Sequence, residues 1–125
     1  MILGTGFDLV AISRFARFIE RRGERGLARL FTPGEREYCT AHSDPTPFFA
    51  ARFAAKEAFY KALGTGMGPA GGWQDVEVVR LASGRPLLMV HGRASALVHE
   101  MQVRTIHLSL THSADTAGAF IVVEG

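Results

Sequence analysis

Four charged side chains interrupt an otherwise apolar segment in the middle of the chain. Twelve of the residues from 48 to 63 are apolar, and the others are Arg52, Lys56, Glu57 and Lys61. Because removing a charge from water is costly, charges in so apolar a segment need partners. Hard divalent cations prefer carboxylate oxygens, whereas Lys and Arg bind phosphates. The pattern therefore indicates a site for a polyanion and its metal ion.

A purely structural explanation of these charges stays open at this point. Glu57 and Lys61 are four residues apart and can pair on a helix surface, while Arg52 and Lys56 extend to solvent. Such a pair contributes only about 0.2–0.5 kcal/mol, too little to offset burial of the groups. A single carboxylate is also a poor Mg²⁺ site, so the metal hypothesis needs a second one, for which Asp8 is the best candidate.

The first part of the chain predicts the strand and helix that would carry Asp8. Residues 2–10 predict a strand, in which Gly4 and Gly6 allow another backbone to approach closely. Residues 13–22 predict a helix with Ser13 as its N-cap, which two following glycines interrupt.

The middle and end of the chain predict further helices and then strands. Thr32, Pro33 and Glu35 form a capping box that starts a second helix, and the charged segment forms a third helix that stops at Gly64. Strands are predicted at 75–81, 86–91, 105–111 and 117–123, and a short helix is predicted at 93–101. Early helices and late antiparallel-type strands predict an α+β fold. One face of the third helix is smooth and should pack closely, since it carries Ala51, Ala55, Ala58 and Ala62.

Length and composition predict one domain over residues 1–125. A 47% apolar content is ordinary for a globular protein. Cys39 is the only cysteine, so no disulfide or CxxC metal pair forms within the chain, and a cytoplasmic location is the simplest expectation. No apolar run is long enough to span a bilayer, and the N-terminus lacks the basic start of a signal peptide.

Positive charge is concentrated near the N-terminus. Residues 14–29 carry six arginines and two glutamates, whereas the whole chain has a net charge of only +2. Four of the arginines share one stripe of the predicted helix, with Phe18 at its edge. A solvated helix face would explain the stripe, but an acidic partner would also relieve the repulsion among its charges. The stripe consists of Arg14, Arg17, Arg21 and Arg25.

Several motifs together resemble those of one enzyme family. They are GTGFDLVAISRF, ARFAAKEAFYKALGTG, the turn GRP and HLSLTHSADTAGAFIVVE, in that order along nearly the whole chain. The chain thus resembles the short, bacterial type of 4′-phosphopantetheinyl transferase, the holo-[acyl-carrier-protein] synthases. The resemblance implies that family's fold, an antiparallel-type sheet packed against a long central helix, and a homotrimer with active sites at subunit interfaces.

The resemblance also implies a reaction and residues that perform it. In this family the 4′-phosphopantetheine arm of coenzyme A is transferred to a serine hydroxyl of apo acyl carrier protein for fatty acid biosynthesis, and 3′,5′-ADP leaves. Asp8 and Glu57 are implied to hold Mg²⁺, with Glu57 as the candidate general base. Lys61 is implied to stabilise the leaving group. The implied coenzyme A contacts are Arg52, Lys56, Lys61, Gly64, Arg85, Pro86 and His112.

For the basic helix the resemblance favours docking of the acidic carrier protein. Arg14, Arg21 and Arg22 would then pair with its carboxylates, and Phe18 would be an apolar anchor. Nucleic acid is the rival partner, because arginine stripes also follow phosphates. Against it, the positive charge is confined to one short helix and no nucleic-acid-binding motif accompanies it.

One departure from the family pattern affects the expected metal site. Family members commonly have an acidic residue three positions after the first aspartate, and Ala11 stands there in this chain. A third carboxylate is therefore missing, which removes one candidate for the base. Two other functions remain as alternatives: a non-catalytic nucleotide- or RNA-binding module and a Mg²⁺-dependent phosphohydrolase.

Overall fold

The computed structural model describes residues 1–125 as four helices and five strands. In chain order they are β1 (Ile2–Ala11), α1 (Ile12–Leu30), α2 (Pro33–Thr40), α3 (Thr46–Leu63), β2 (Val76–Arg80), β3 (Pro86–Val90), α4 (Gly92–Glu100), β4 (Thr105–His112) and β5 (Thr116–Glu124).

The strands form two separate antiparallel units. One is a three-stranded sheet in the order β1-β5-β4, and the other is the hairpin β2-β3. Helix α3 packs on one face of the three-stranded sheet, where its small and aromatic side chains form the centre of the core. The α+β prediction, with an antiparallel sheet against a long central helix, is confirmed.

Strand β1 lies unusually close to α3 because two of its residues have no side chain. A Cβ atom at Gly4 would lie 2.0 Å from the carbonyl oxygen of Ala62, and one at Gly6 would lie 1.8 Å from that of Ala58. Both distances are impossible for real atoms, so these positions require glycine. The predicted close approach is confirmed, and it brings the inward-facing Asp8 of β1 beside the last turns of α3.

Helix α1 differs from its prediction at its start. It begins at Ile12, and Ser13 makes no capping hydrogen bond. The backbone N–H of Ile12 instead donates to the carbonyl of Asp115, at 2.9 Å, a partner that only the folded chain supplies. Gly23 has non-helical φ and ψ angles of 57° and −148°, so the predicted interruption after Arg22 is confirmed, and a second helical segment continues α1 to Leu30.

The boundaries of α2 and α3 follow local signals. Thr32 accepts a hydrogen bond from the Glu35 backbone and Glu35 accepts one from the Thr32 backbone, which is the predicted capping box. Helix α3 ends at Gly64, whose φ of 77° favours glycine. It begins two residues earlier than predicted, at Thr46. None of the helices is both long and apolar enough to cross a bilayer.

The sheet face that points away from α3 exposes large apolar side chains. Phe7 and Phe120 form an edge-to-face pair there, with ring centroids 6.2 Å apart. Phe7 is 57%, Leu9 61% and Phe120 46% exposed. A contiguous apolar surface of this kind is typical of an interaction surface.

Candidate functional site

The site is built around two carboxylates, one from a strand and one from a helix. Gly6 and Val10 of β1 are buried whereas Phe7 and Leu9 are exposed, so the strand alternation turns Asp8 towards α3. Glu57 of α3 lines the same cleft of about 440 Å³ as Asp8. The structure therefore brings together the two residues that were expected to share a metal ion.

Lys61 lies beside these carboxylates. Its ammonium donates to Asp8 Oδ1 at 2.9 Å and to the Phe7 carbonyl at 3.2 Å, and its side chain is 54% exposed. No ion pair joins it to Glu57, so the surface pair considered as a structural explanation does not form. Because Lys61 remains half exposed, a phosphate can reach the ammonium from solvent.

The electrostatics of Glu57 show how closely the charges are placed. Burial raises the pKa of Glu57, the negative charge of Asp8 raises it further, and Lys61 opposes both effects. Two carboxylates that repel one another in a partly buried cleft favour a bound cation. Mg²⁺ is commonly held by one or two carboxylates, with substrate phosphates and water as the remaining ligands. The pair fits such an ion, although no group of three metal-ligating side chains is present.

A basic groove adjoins this cleft. It has a volume of about 640 Å³, and Phe18, Leu30 and Trp73 line both the groove and the cleft. Arg14 lines the cleft on the side of Asp8 and Glu57, so positive charge continues from the groove to the carboxylates. The arginines of the groove itself are Arg21, Arg22, Arg25 and Arg29.

A second cluster of cationic side chains lies on the other side of α3. Arg52 and His112 line a pocket of about 260 Å³ together with Arg80. Arg52 is only 1% exposed, its guanidinium lies 4.2 Å from the Tyr38 ring centroid, and its buried Nε has no hydrogen-bond partner. Burial lowers the pKa of Arg52. An unpaired buried donor beside further cations is a site that an anion would complete.

Lys56 does not take the place expected for it. Its side chain is 0% exposed, and its ammonium is bound to Glu35 at 2.7 Å in the interior of the protein. It also donates to the carbonyls of Trp73, at 2.8 Å, and Val76, at 2.7 Å. Since an ammonium has three donors and all three are used, the expectation that Lys56 faces the phosphates is wrong in this structure.

The other predicted contacts are divided between the two clusters. Gly64 lines a small cleft with Glu57 and Lys61, next to the carboxylates. Pro86 lies opposite Arg80 in the β2-β3 hairpin, so Pro86 and the neighbouring Arg85 lie near the second cluster without lining its pocket.

Two residues of these clefts were not found by sequence reasoning. Trp73 lines the basic groove, the carboxylate cleft and the small cleft at Gly64. It is the only tryptophan and directly follows a glycine-rich run, which is a signal that could have identified it. Arg80 ends β2, and nothing in the local pattern distinguishes it from any other exposed arginine.

Comparison with known proteins gives a consistent result. Residues 4–116 match the family model described as the 4′-phosphopantetheinyl transferase superfamily. A holo-[acyl-carrier-protein] synthase of Koribacter versatilis is 45% identical over 124 residues, which is 99% of each chain.

Solved structures are similar over the same length. The holo-[acyl-carrier-protein] synthase of Neisseria meningitidis has a TM-score of 0.93 at 34% identity, with 100% of each chain covered. The Helicobacter pylori protein of the same name, in complex with coenzyme A, has a TM-score of 0.85 at 28% identity and covers 96% of this chain and 99% of its own.

Proposed function

The chain belongs to the 4′-phosphopantetheinyl transferase superfamily, and we infer that it transfers the 4′-phosphopantetheine arm of coenzyme A to apo acyl carrier protein. The resemblance read from its motifs is thereby confirmed. One observation carries the inference most directly: a groove lined by four arginines adjoins a cleft with paired carboxylates and a half-exposed lysine. A docked acidic protein and a phosphate-bearing substrate would therefore meet at one place.

For the metal we propose Mg²⁺, held by Asp8 and Glu57. When bound, the ion neutralises charge that develops on the pyrophosphate. Lys61 is the residue that must respond, since its ammonium now occupies Asp8 Oδ1. Its exposed side chain can turn from Asp8 to the substrate phosphates, where it stabilises the departing 3′,5′-ADP.

The reaction makes one bond and breaks one. The serine oxygen of the carrier protein forms a bond to the phosphorus that bears the pantetheine arm, and the bond from that phosphorus to the bridging oxygen of the pyrophosphate breaks. Glu57 receives the serine proton, directly or through a water.

The carrier protein is proposed to dock on α1. Arg14, Arg21 and Arg22 are exposed and line the groove or the cleft, in position to pair with an acidic helix. Phe18 lies between the two depressions as an apolar anchor. Docking there would place the carrier serine near Glu57, which a nucleic acid bound along the same stripe would not explain.

The 3′-phosphate end of coenzyme A is proposed to bind Arg52, Arg80 and His112. In one chain these residues line a pocket separate from the carboxylate cleft, and His112 and Asp8 lie on β4 and β1, the opposite edges of the sheet. A second chain could supply them if it packed on the exposed surface of Phe7, Leu9 and Phe120. We therefore propose a homotrimer with active sites between subunits, in the cytoplasm.

Mass spectrometry tests the proposed function. The protein is incubated with coenzyme A, Mg²⁺ and an apo acyl carrier protein, and the carrier should gain the mass of one phosphopantetheine arm while 3′,5′-ADP accumulates. Omission of Mg²⁺ is the control for the metal. RNA binding or phosphate release without any mass gain would instead support one of the two alternative functions.

A further inference from the structure

Glu35 and Lys56 form a buried pair with hydrogen bonds to each other and to the backbone. Both side chains are 0% exposed, and the Lys56 ammonium donates to Glu35 and to two backbone carbonyls. The Glu35 carboxylate also accepts from the backbone of Thr32, at 2.9 Å, and of Val78, at 2.8 Å. Lys56 has no donor left and neither side chain is exposed to a ligand, so any role of this pair in the reaction is indirect, through the backbone that it binds.

Glu35 and Lys56 both bind the backbone of residues 73–78. Lys56 binds the carbonyls of Trp73 and Val76, and Glu35 binds the N–H of Val78. This segment follows the glycine-rich residues 64–72, where four glycines have positive φ and the backbone is permissive. The pair therefore fixes the point at which an adaptable loop rejoins the core.

Trp73 is the member of that segment that reaches the site. Its indole stacks on Phe53, with ring centroids 5.1 Å apart and an interplanar angle of 25°. It lines the basic groove, the carboxylate cleft and the small cleft beside Lys61. The Trp73 side chain thus lines all three proposed binding sites, those of the carrier protein, the reacting phosphate and the leaving group.

A gain in stability alone does not account for charges at this place. Replacing a buried ion pair by apolar residues of similar size is often neutral or stabilising. An ammonium offers what an apolar side chain lacks, namely three directed donors that select three particular acceptors. Its carbonyl partner at Trp73 fixes the backbone from which the indole projects.

We propose that Glu35 and Lys56 are positioning residues that hold the Trp73 indole as the wall between the carrier groove and the carboxylate cleft, where the indole contacts the docked carrier protein. The inference rests on the proposed function for the identity of the partner. The placement of the indole itself depends only on the ion pair and its bonds.

Trp73 provides its own readout, because it is the only tryptophan of the chain. The test variant is the double substitution Glu35→Gln with Lys56→Met, which leaves no unpaired buried charge. We expect a red-shifted Trp73 emission, easier quenching by acrylamide and a KM for the carrier protein raised at least about fivefold, roughly the effect of 1 kcal/mol. Coenzyme A affinity, measured by calorimetry, should change less than twofold.

Val123→Ala is the matched control, since Val123 is also 0% exposed and lies in the sheet away from Trp73. It should lower the Tm without changing the emission or the carrier KM at a temperature where it is folded. Trp73→Ala should reproduce the rise in carrier KM, and Trp73→Phe should restore most of the wild-type value because it keeps an aromatic wall.

The outcomes separate the two proposals. Unchanged emission and unchanged carrier KM in the folded double variant, or wild-type kinetics in Trp73→Ala, would overturn the positioning role. If the double variant does not fold, the Trp73 emission and carrier KM of Lys56→Met, measured below its Tm, decide the question instead. Absence of arm transfer by the wild-type protein would overturn the proposed function instead, and the emission of the double variant would still test the placement of the indole.

Discussion

Lys56 and Lys61 belong to the same helix and have opposite surroundings. Lys56 is 0% exposed and uses all three donors on fixed partners inside the protein. Lys61 is 54% exposed and makes one ion pair, with Asp8, next to another carboxylate. Five residues along a helix correspond to a rotation of about 140°, so the two lysines point to different faces.

The difference separates a charge that organises the protein from one that is available to a substrate. A lysine whose donors are all satisfied cannot bind a phosphate. Removal of Lys56 would leave the buried Glu35 carboxylate without a counter-charge. A half-exposed lysine such as Lys61 can exchange its partners at a lower cost than a buried one, because solvent screens its ion pair. Motif membership does not reveal which kind of lysine is present, whereas burial and donor saturation do.

The carboxylates beside Lys61 give the largest expected loss of activity. Asp8→Asn and Glu57→Gln should each lower turnover at limiting Mg²⁺ by about 100-fold or more, which corresponds to about 3 kcal/mol of lost stabilisation of the transition state. Mass spectrometry of the carrier protein measures the rate, and circular dichroism verifies the fold. Near-normal turnover in both variants would show that the two-carboxylate metal site is wrong.

Exchange of each lysine for methionine tests the comparison itself. Lys61→Met should lower kcat about 10- to 100-fold, less than the loss of a fully enclosed transition-state donor because Lys61 is half exposed, and it should lower the Tm less than Lys56→Met because solvent screens its pair. Lys56→Met should lower the Tm by about 10 °C or more, because breaking a buried pair costs about 3–5 kcal/mol. The two measurements are kcat at a temperature where both variants are folded and calorimetric Tm. A large loss of Tm in Lys61→Met with little in Lys56→Met would reverse the assignment.

Substitution of the α1 arginines should weaken binding of the carrier protein but not of coenzyme A. Arg14→Glu with Arg21→Glu should raise the KM for the carrier protein at least about tenfold and weaken its salt dependence, because attraction to an acidic partner becomes repulsion. Coenzyme A binding should stay nearly intact. The matched control is Arg93→Glu with Arg104→Glu, which changes the net charge equally at exposed residues that lie outside α1 and line neither cleft. Unchanged carrier kinetics in the first variant would remove the docking assignment.

Substitutions in the second cationic cluster should weaken recognition of coenzyme A, with a smaller effect than the α1 substitutions have on the carrier protein. His112→Gln and Arg80→Gln should each lower the preference for coenzyme A over 3′-dephospho-coenzyme A by about tenfold, close to the lower end of the range for one charge-assisted hydrogen bond, about 1.5 kcal/mol. The reaction with 3′-dephospho-coenzyme A is the internal control and should stay the same. Equal losses with both substrates would place these residues outside the 3′-phosphate site.

Local signals predicted the parts of the fold that depend on neighbouring residues. The capping box at Thr32, the end of α3 at Gly64 and the close approach at Gly4 and Gly6 are all present. Each depends on a backbone conformation or on the absence of a side chain, which the residue type itself specifies. The pairing of Asp8 with the charged end of α3 followed from the same close approach.

The features that sequence reasoning missed depend on residues far apart in the chain. The start of α1 is satisfied by Asp115 rather than by Ser13. The partner of Lys56 lies 21 residues away in α2 and its carbonyl acceptors lie beyond α3. A helical wheel gives the direction in which a side chain points, but only the tertiary structure shows what covers it.

The smallest expected effect concerns the stability of the carboxylate cleft. Burial and the charge of Asp8 raise the pKa of Glu57 in the folded protein above its value in the unfolded chain. The neutral carboxyl therefore stabilises the folded protein at pH values below the unfolded-state pKa. This stabilisation is lost as the pH rises through the folded-state pKa. Glu57→Gln has no such loss. In metal-free buffer its Tm should equal that of the wild type near pH 4 and exceed it by about 1–3 °C at pH 7, a small gain because solvent screens the group. A lower Tm than the wild type at pH 7 would mean that ionised Glu57 is stabilised by its surroundings, and the cleft would then need no cation to balance it.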